Sequence, residues 1–444
     1  MILPEHIAYC LNALEDAGFA AWCVGGCVRD ALLGLTPHDY DICTAALPEQ
    51  TEAVFSDHRL VLAGKKHGTV GVIFEKEVVE ITTFRTEGDY LDNRHPDWVE
   101  FVPDVEKDLA RRDFTVNAMA WSPKRGFADP FGGRMDLERN VLRAVGDPEL
   151  RFREDSLRIL RGLRFAARFD LRIEETTWQA MLRQRQLMDN LARERVFEEL
   201  CGLLPLVTAE ELIRFAPILA AVIPELEPMI GFDQHSPHHA YDVFTHTAHV
   251  VAAVPPELPL RWAALLHDVG KVPTFTRDET GRGHFYGHAG AGARMADTIL
   301  RRLKAPTQLR EQAVFLIEKH MTRLEPDKKI LRRWLSRLGE ETVIRMLALQ
   351  EADMCSKSPV RPSRWEYFLQ IRGLLAQIRE EDLCLSLKDL AVNGHDLMAL
   401  GIRGKAIGET LEWLLEQVLD ETLENQRQML LTAAREGFHE TNIH

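Results

Sequence analysis

The 444-residue sequence has few cysteines and no long apolar run, and both shortages restrict what the protein can be. The seven cysteines are scattered and include no C-x-x-C pair, which argues against a disulfide framework or a zinc knuckle and indicates reduced packing residues. No apolar run approaches the length that crosses a membrane. The first residues form the pattern of an amphipathic helix with acids rather than of a basic signal peptide, so we expect a cytoplasmic protein with no membrane partner.

Positive charge is also scarce, because 54 lysines and arginines face 68 aspartates and glutamates, for a formal net charge of −14. Such a deficit argues against nucleic-acid binding over the whole surface, since phosphate binding draws on lysine and arginine. The basic residues are nevertheless concentrated, and residues 107–168 contain 14 lysines and arginines against 9 acids. This distribution is compatible with a confined groove for RNA or a nucleotide. A hydrophobic content of 45% allows more than one core, so we expect roughly two to four domains.

The segment Val24–Thr44, VGGCVRDALLGLTPHDYDICT, carries the most informative chemical pattern. Gly25 and Gly26 follow an apolar stretch, and adjacent glycines let backbone N–H groups approach a phosphate without a Cβ in the way. Asp39 and Asp41 are two residues apart in an alternating segment, where such side chains share one face. Two neighbouring carboxylates repel each other unless a divalent cation neutralises them, and these hard oxygen ligands suit Mg²⁺. The pattern therefore predicts metal-assisted phosphoryl transfer.

Apolar periodicity predicts that this segment belongs to a mixed α/β head with a small sheet. The predicted elements are a helix over the first 20 residues, a strand at 21–24, a helix at 28–33, a strand around the two aspartates, and strands at 69–74 and 78–84. Glu80 stands between apolar neighbours on the last strand. It either supports the metal site as a third carboxylate or faces solvent. The polar segment 86–98 is either a mobile loop or an ordinary surface connection.

The string RRDFTVNAM at 111–119 adds basic residues to this head. Arg111 and Arg112 are suited to neutralising a triphosphate, whereas Asp113 and Asn117 offer polar contacts for a ribose. Taken by itself, an R-R-D triplet is equally typical of a salt-bridged helix end.

The string EDSLRILRGLRF at 154–165 predicts a helix with one guanidinium-rich face, because Asp155, Arg158, Arg161 and Arg164 recur at spacings of three. The face is either a solvated surface or a template for nucleobases. In a template, Asp155 would accept from an exocyclic amino group and Arg158 would donate to a ring nitrogen or carbonyl.

Together these motifs resemble the nucleotidyltransferase superfamily related to DNA polymerase β, in the GGxVRD…DxD form of its tRNA nucleotidyltransferase and poly(A) polymerase branch. RRDFTVNAM is similar to the family's second motif, and EDSLR is similar to the EDxxR motif of class II CCA-adding enzymes, in which protein side chains replace a nucleic-acid template. The resemblance implies that Asp39 and Asp41 are catalytic and hold Mg²⁺. It also implies a nucleotide-binding set of Gly25, Gly26, Arg29, Arg111, Arg112, Asp113, Asn117, Asp155, Arg158, Arg161 and Arg164.

A different constellation begins after Gly231, where histidines become frequent. Imidazole and carboxylate together are good ligands for Mn, Ni, Fe or similar divalent ions. With HFYGH at 284–288, the pattern resembles the HD superfamily of metal-dependent phosphohydrolases, and this resemblance implies phosphatase, 2′-nucleotidase or 2′,3′-cyclic phosphodiesterase activity. The candidate ligands are His246, the doublet His267-Asp268 in ALLHDVGK, His288, His320 and Asp353.

The sequence thus predicts an α+β protein: a polymerase-β-like head at 1–150, an all-α neck at 151–232, a helical HD domain at 233–356 and a helical tail at 357–444 that contacts tRNA. The resemblance implies template-independent addition of C, C and A to the 3′ end of tRNA from CTP and ATP. In the resembled family the segment between the two catalytic motifs is a flexible loop that helps switch the pocket from CTP to ATP, so the presence of 86–98 favours the complete addition. The alternatives are a poly(A) polymerase, an enzyme that adds only A or only CC, and an HD phosphohydrolase with a degenerate nucleotide-binding head.

Overall fold

The computed structural model describes residues 1–75, 77–87, 99–235, 240–357, 365–381 and 384–441. The chain divides into two compact units. The first comprises residues 1–227 and 299–305, and the second comprises residues 228–298 and 306–444. None of the helices in the described ranges has the length and apolar character needed to cross a bilayer.

The first unit combines a mixed sheet with helices, as predicted. Its strands are β1 Ala21–Val24, β2 Asp41–Thr44, β3 Arg59–Val61, β4 Thr69–Phe74, β5 Glu77–Thr83, β6 Arg85–Glu87, β7 Val99–Phe101, β8 Ala120–Ser122, β9 Gly126–Ala128, β10 Val141–Leu142 and β11 Arg172–Ile173. Its helices are α1 Glu5–Asp16, α2 Gly26–Leu32, α3 Pro48–Val54, α4 Val105–Ala110, α5 Gly133–Glu138, α6 Pro148–Glu154, α7 Leu157–Phe169, α8 Glu175–Gln184, α9 Arg193–Leu203 and α10 Ala209–Val222.

The main sheet has seven strands in the order β3-β4-β5-β2-β1-β8-β9. Only β2 and β5 pair in parallel, and the other neighbours are antiparallel. The central strand β1 is buried along its whole length, and β2 is buried after its first residue. The predicted strands at 21–24 and 69–74 are confirmed to the residue. The prediction for 86–98 falls mostly on 88–98, outside the described residues, whereas Thr86 and Glu87 continue β6, which pairs with β7.

Helix α7 packs closely against the segment that follows α4. Gly162 lies in the middle of this helix, and a Cβ there would lie 2.4 Å from Cε of Met181 and 2.8 Å from Cζ of Phe114. The glycine therefore permits an approach that alanine would obstruct. The Phe114 ring also meets Phe165 of α7 edge-on at 6.0 Å. This packing brings the two arginine-containing strings together, although they are about 40 residues apart in the sequence.

The second unit is helical apart from one short hairpin. The hairpin strands are β12 Thr276–Arg277 and β13 Gly283–His284. The helices are α11 Val243–Ala253, α12 Leu258–Leu266, α13 His288–Arg302, α14 Thr307–Lys319, α15 Lys328–Leu338, α16 Glu340–Cys355, α17 Trp365–Glu380, α18 Gly394–Ala399, α19 Lys405–Leu419 and α20 Arg427–Thr441; the last residues of α13 are grouped with the first unit.

Candidate functional site

The glycine turn after β1 accommodates an arginine directly against its backbone. Gly25 adopts a left-handed conformation with φ of 72°. A Cβ on Gly25 would lie 2.8 Å from Nη1 of Arg112, so a larger residue would both strain the backbone and displace the guanidinium. Gly26 begins α2, and Arg29 on this helix is buried. The turn therefore positions two of the predicted arginines.

The three predicted carboxylates, with a fourth from Glu77, line one cavity beside β2 and β5. Asp41 is the first residue of β2, and Asp39 comes two residues earlier, before the strand begins. The parallel register of β2 and β5 pairs Ile42 with Ile81, the residues that follow Asp41 and Glu80. The cavity has a volume of about 580 Å³. The Asp41 side chain is open to solvent, but the surrounding protein partly desolvates its carboxyl group and so raises its pKa. The positive charge of Arg112 lowers this pKa, and the negative charge of Asp39 raises it.

Asp41 also lines a second cavity, of about 400 Å³. Six arginines and three aspartates line this cavity, and such an excess of positive charge suits an anion such as a polyphosphate. The structure brings together here every predicted residue of the first unit except Asp39, Glu80 and Arg164. The lining residues are Gly25, Gly26, Arg29, Asp41, Arg111, Arg112, Asp113, Asn117, Asp155, Arg158, Arg161, Phe165 and Arg195.

Four of these residues form a continuous hydrogen-bonded chain. Arg29 donates from Nη1 to Oδ1 of Asn117 at 2.6 Å, and Asn117 donates from Nδ2 to Oδ1 of Asp113 at 3.1 Å. Arg161 donates to Oδ2 of Asp113 from Nε at 2.9 Å and from Nη2 at 2.8 Å. Burial by itself would raise the pKa of Asp113, but Arg161 and the other donors lower it to about 2. The chain therefore holds an ionised carboxylate between two fixed guanidinium groups.

Arg111 and Arg112 share a single buried carboxylate, that of Asp108. Arg111 donates to its Oδ1 from Nη2 at 2.8 Å, and Arg112 donates to its Oδ2 from Nη2 at 3.3 Å. Burial raises the pKa of Asp108, but the two arginines outweigh that effect and lower it. Asp108 is therefore ion-paired with both guanidinium groups. In addition, the buried Nε of Arg112 has no hydrogen-bond partner within the described ranges, so an anion would complete the group.

Asp155 does not lie on a helical face, and the prediction that it shares one with Arg158 is wrong. It occupies the break between α6 and α7, where its Oδ1 accepts from the backbone N–H of Leu157 at 3.0 Å. This local hydrogen bond competes with continued helix and separates α6 from α7. Its Oδ2 accepts from Nη2 of Arg195 at 3.1 Å. Arg158 is on α7 as predicted, and both side chains still line the same cavity.

Arg158 is buried and held by three acceptors. It donates from Nη1 to Oε2 of Glu154 at 2.7 Å and to the carbonyl oxygen of Arg151 at 3.2 Å. It also donates from Nη2 to the carbonyl oxygen of Arg111 at 2.9 Å. The guanidinium therefore has one orientation, which is the property that reading a base edge requires.

Arg164 does not line either cavity. It donates from Nε to Oε2 of Glu199 on α9 at 2.7 Å. Its Cδ would lie 2.5 Å from a Cβ on Gly202, so the side chain fills the contact between α7 and α9. The spacing of three residues between Arg161 and Arg164 did not show that the two side chains have different neighbours. An α-helix has 3.6 residues per turn, so side chains spaced by three residues point in successively different directions around its axis.

Three residues at the second cavity were not predicted as site residues. Glu154 orients Arg158, Phe165 lines the cavity, and Arg195 pairs with Asp155. Glu154 belongs to the EDSLR string, so its position beside Arg158 was a usable signal. No signal in the sequence pointed to Arg195, because it lies on α9, 40 residues after its partner Asp155.

The six predicted ligands of the second unit meet in one buried centre. Two groups of candidate ligand atoms share Asp268, and the atoms within each group lie within 4.8 Å of one another: His246 with His267 and Asp268, and Asp268 with His288 and His320. Oδ1 of Asp353 lies 3.0 Å from Nε2 of His246. A Cβ on Gly270 would lie 2.3 Å from the carbonyl oxygen of His288, so this glycine lets the end of α12 approach α13.

All four histidines present the same ring nitrogen to the centre. Each Nδ1 lies within hydrogen-bond distance of a backbone carbonyl, which only accepts, so the proton is on Nδ1 and the Nε2 lone pair is available. The pairs are His246 with Ser356 at 3.2 Å, His267 with Ala264 at 2.8 Å, His288 with Phe285 at 2.8 Å and His320 with Ile317 at 2.6 Å.

The unmatched polar atoms at this centre fit a cation. The buried Nε2 of His267 lies 3.1 Å from Oδ2 of Asp268, yet it has no hydrogen-bond partner in the described part of the chain. The same carboxylate oxygen lies 2.7 Å from Nζ of Lys271. A divalent ion bound by the Nε2 lone pair and the carboxylate would satisfy the imidazole as well. Burial lowers the pKa of His320 to about 4 and also lowers that of His288, which keeps both rings neutral and able to ligate.

Family models match three parts of the chain. A model described as "Poly A polymerase head domain" matches residues 21–143. A model described as "Probable RNA and SrmB- binding site of polymerase A" matches residues 170–229, and one for domain 2 of tRNA nucleotidyltransferase matches residues 285–434.

Similar proteins of known identity are CCA-adding enzymes. The enzyme of Streptococcus suis is 46% identical over 240 residues, which cover 51% of this chain and 59% of that protein. The enzyme of Bacillus velezensis is 31% identical over 427 residues, which cover 94% of both chains. The crystal structure of the Bacillus stearothermophilus CCA-adding enzyme in complex with CTP has a TM-score of 0.68 and 26% identity, covering 99% of this chain and 100% of that one. Because the similarity to the Bacillus velezensis protein extends over nearly the whole of both sequences, this chain belongs to the CCA-adding enzyme family.

Proposed function

We propose that this protein adds C, C and A to the 3′ end of tRNA, using CTP and ATP. The observation that carries the proposal is the second cavity, which combines Asp41 with six arginines and with the Asp155 and Arg158 side chains. That combination supplies a carboxylate for a metal, positive charge for a triphosphate and two fixed groups for a base edge. The related enzyme of known structure was crystallised with CTP, in agreement with this assignment. Because tRNA is the proposed substrate, we place the protein in the cytoplasm.

Asp39, Asp41 and Glu80 are the residues that would hold Mg²⁺. Their oxygen atoms are the ligands that this ion prefers, and the raised pKa of Asp41 reflects a carboxylate that gains from a neighbouring cation. When bound, Mg²⁺ supplies charge neutralisation for the triphosphate and for the attacking hydroxyl. Asp41 lines both cavities, so it belongs both to the set of carboxylates that would hold Mg²⁺ and to the arginine-lined cavity.

The arginines divide into two roles. Arg111 and Arg112, which both pair with Asp108 and line the second cavity, contact the phosphates. Arg29 and Arg161 face the same cavity, with their guanidinium groups fixed by Asn117 and Asp113. Asp113 and Asn117 therefore act on the nucleotide chiefly through these arginines. Gly25 keeps the space next to Arg112 free of side-chain atoms, whereas Gly26 lies beside Arg29, whose Nη2 would be 3.6 Å from a Cβ there.

Asp155 and Arg158 select the base. An aspartate accepts from the exocyclic amino group that both cytosine and adenine carry, and an arginine donates to a ring nitrogen or to the carbonyl of cytosine. Arg195 and Glu154 hold the two side chains in place. The Asp39→Ala variant tests the whole assignment: it should incorporate no CTP while still binding tRNA, and CTP incorporation at the wild-type rate would refute it.

The nearest alternative is a poly(A) polymerase, since the head matches a family model of that description. An enzyme that adds only A or only CC is a further alternative. The sequence of the product distinguishes them, because complete CCA addition stops after three nucleotides, whereas a poly(A) polymerase extends a tract of A. The tail at 357–444 is proposed to contact tRNA, outside the residues that carry this chemistry.

We also propose that the buried centre of the second unit is an HD-type metal-dependent phosphohydrolase site. It would be held by His246, His267, Asp268, His288, His320 and Asp353, and the chemistry of this ligand set suits Mn, Ni or Fe. A bound metal supplies a nucleophilic hydroxide at neutral pH. The carbonyl acceptors on Nδ1 orient the four imidazoles for ligation. Loss of phosphohydrolase activity alone in His267→Ala would support two separate sites, and loss of CCA addition in that variant would contradict them.

A further inference from the structure

One phenylalanine ring at the second cavity lies against three arginines. Phe165 belongs to α7, lines that cavity and is 6% exposed. The distance from the guanidinium Cζ atom to the ring centroid is 5.4 Å for Arg29, 5.2 Å for Arg161 and 5.1 Å for Arg164. A cation within about 6 Å of a ring centroid is attracted by the electron-rich face of the ring. The ring therefore attracts all three guanidinium groups.

Each of these arginines also pairs with a carboxylate of its own. The pairs are Arg29 with Asp30 at 2.7 Å, Arg161 with Asp113 at 2.8 Å and Arg164 with Glu199 at 2.7 Å. The carboxylates come from different segments of the chain, whereas the ring is common to all three guanidinium groups. An aromatic ring attracts a cation without carrying a net charge, so it holds like charges near one another and does not neutralise them. Phe165 thus fixes where the arginines lie and leaves their charge unchanged.

A second ring strengthens the contact with Arg29. The Cζ atom of Arg29 lies 4.1 Å from the ring centroid of Phe169, and the centroids of Phe165 and Phe169 are 6.2 Å apart. Arg29 is buried, and a desolvated cation gains more from an aromatic ring than an exposed one does. Two rings of α7 therefore hold an arginine of α2, the helix that begins at the glycine turn.

Two of the three arginines reach the nucleotide site. Arg29 and Arg161 line the second cavity together with Phe165, whereas Arg164 does not. Arg158, which is proposed to read the base, has no aromatic ring against its guanidinium in the ranges that the structure describes. The ring therefore acts on a part of the site that is separate from the base-selecting pair.

We propose that Phe165 is a positioning residue for the incoming nucleotide, because its ring sets the places at which Arg29 and Arg161 meet the triphosphate and ribose. This inference rests on the proposed addition of C and A, and it names a side chain on which nucleotide binding at that site depends. The triphosphate and ribose are common to CTP and ATP. Weakening the ring's attraction for cations should therefore weaken the binding of both nucleotides equally and leave the choice between them unchanged.

The test weakens that attraction without removing the ring. Full-length protein would carry mono-, di- or trifluorophenylalanine at position 165, introduced by stop-codon suppression. Fluorine withdraws electron density from the ring face and adds little volume, so the packing is nearly preserved. In steady-state assays, the KM for CTP and the KM for ATP should both rise with each added fluorine, by roughly 3- to 10-fold in total, with kcat changed by less than about twofold.

Phe152 provides the matched control. It is fully buried in α6 of the same unit, and among the described residues no cation lies over its ring. The same fluorinated residues at position 152 should leave both KM values as in wild type. Phe165→Leu, which keeps an apolar side chain but lacks a ring, should raise both KM values at least as far as trifluorophenylalanine does.

The outcomes separate this inference from the function on which it rests. Wild-type protein that adds neither C nor A would overturn the proposed function itself. Wild-type protein that adds both, with KM values that do not change with fluorination at position 165, would overturn only the positioning role. Equal KM increases at positions 165 and 152 would also overturn it, because they would indicate a packing effect. An increase for one nucleotide alone would overturn it as well, since that would place the ring at the base.

Discussion

Arg161 directs both Nε and Nη2 at a single oxygen of Asp113, at 2.9 and 2.8 Å. Arg161 belongs to α7, whereas Asp113 belongs to the RRDFTVNAM string that follows α4. The pair therefore joins α7 to the segment that carries Arg111 and Arg112. It also continues through Asn117 to Arg29 beside the glycine turn. Fixing these groups relative to one another is what a preorganised site requires.

The pairing predicts how stability depends on pH. The pKa of Asp113 falls from 3.8 to about 2 in the folded protein, which corresponds to about 2 kcal/mol of stability. Because the folded-state pKa of this acid is depressed, the contribution is present above about pH 4 and is lost as the pH falls toward 2. Urea unfolding should therefore show a stability difference between wild type and Asp113→Asn that narrows as the pH is lowered through this window. A difference that does not change with pH would contradict the charged pairing.

The glycine turn gives a second prediction, for which the chain offers a matched control. Gly25 has φ of 72° and ψ of −126°, and Gly404 has φ of 62° and ψ of −134°, so alanine strains the backbone similarly at each position, by about 1–3 kcal/mol. Only at Gly25 would the new Cβ meet Arg112, at 2.8 Å, whereas nothing lies within 4 Å at Gly404. We expect both variants to lose thermal stability and only Gly25→Ala to raise the KM for CTP, by roughly tenfold. Equal KM values in steady-state assays would show that Arg112 does not bind the nucleotide.

A third prediction compares two arginines of α7. Arg158 lines the second cavity, whereas Arg164 binds Glu199 outside it. Arg158→Ala should lower kcat/KM for both CTP and ATP by roughly 100-fold and increase misincorporation, since a lost base contact removes discrimination. Arg164→Ala should retain nucleotide choice and lose only about 1 kcal/mol of stability. Competition assays with all four nucleotides measure both effects. Altered nucleotide choice in Arg164→Ala, with normal choice in Arg158→Ala, would reverse the assignment.

The proposed metal centre predicts that one substitution lowers the amount of bound ion and a nearby one does not. Nε2 of His267 lies 3.1 Å from Oδ2 of Asp268 and has no hydrogen-bond partner among the described residues, whereas His249 on helix α11 stacks on Tyr241 at 4.7 Å. After loading with Mn²⁺ and desalting, His267→Ala should retain at least about tenfold less metal than wild type, and His249→Ala should retain the wild-type amount. Inductively coupled plasma mass spectrometry gives the stoichiometry. Equal metal content in all three proteins would show that the six residues do not form the site.

Sequence reasoning succeeded where the determining interactions are local. The strands Ala21–Val24 and Thr69–Phe74 were predicted to the residue, since each is a short, mostly apolar run that ends before a glycine or a charged residue. Motif resemblance identified eleven of the residues that line the second cavity. Family resemblance also identified the six histidine and aspartate residues of the buried centre. These residues come from separate segments of the chain, and no periodicity in the sequence connects them.

It failed where a side chain competes with the backbone or where a partner is distant. Asp155 bonds the N–H of Leu157 and interrupts the helix, although the arginine spacing continued through it. The contact of Arg164 with Glu199 was not predicted, because helical spacing does not show which neighbouring helix lies on each side. Arg195 was missed because only the folded structure brings α9 beside Asp155.

The proposed activity is tested most directly by the product made from a tRNA that lacks its last three nucleotides. With CTP and ATP supplied, the account predicts that sequencing of the 3′ ends shows C, C and A and no further addition. It also predicts that Asp41→Asn, which removes the carboxylate shared by both cavities, adds nothing while binding the same tRNA. An extended tract of A made by the wild type, or a CCA end made by Asp41→Asn at the wild-type rate, would contradict it.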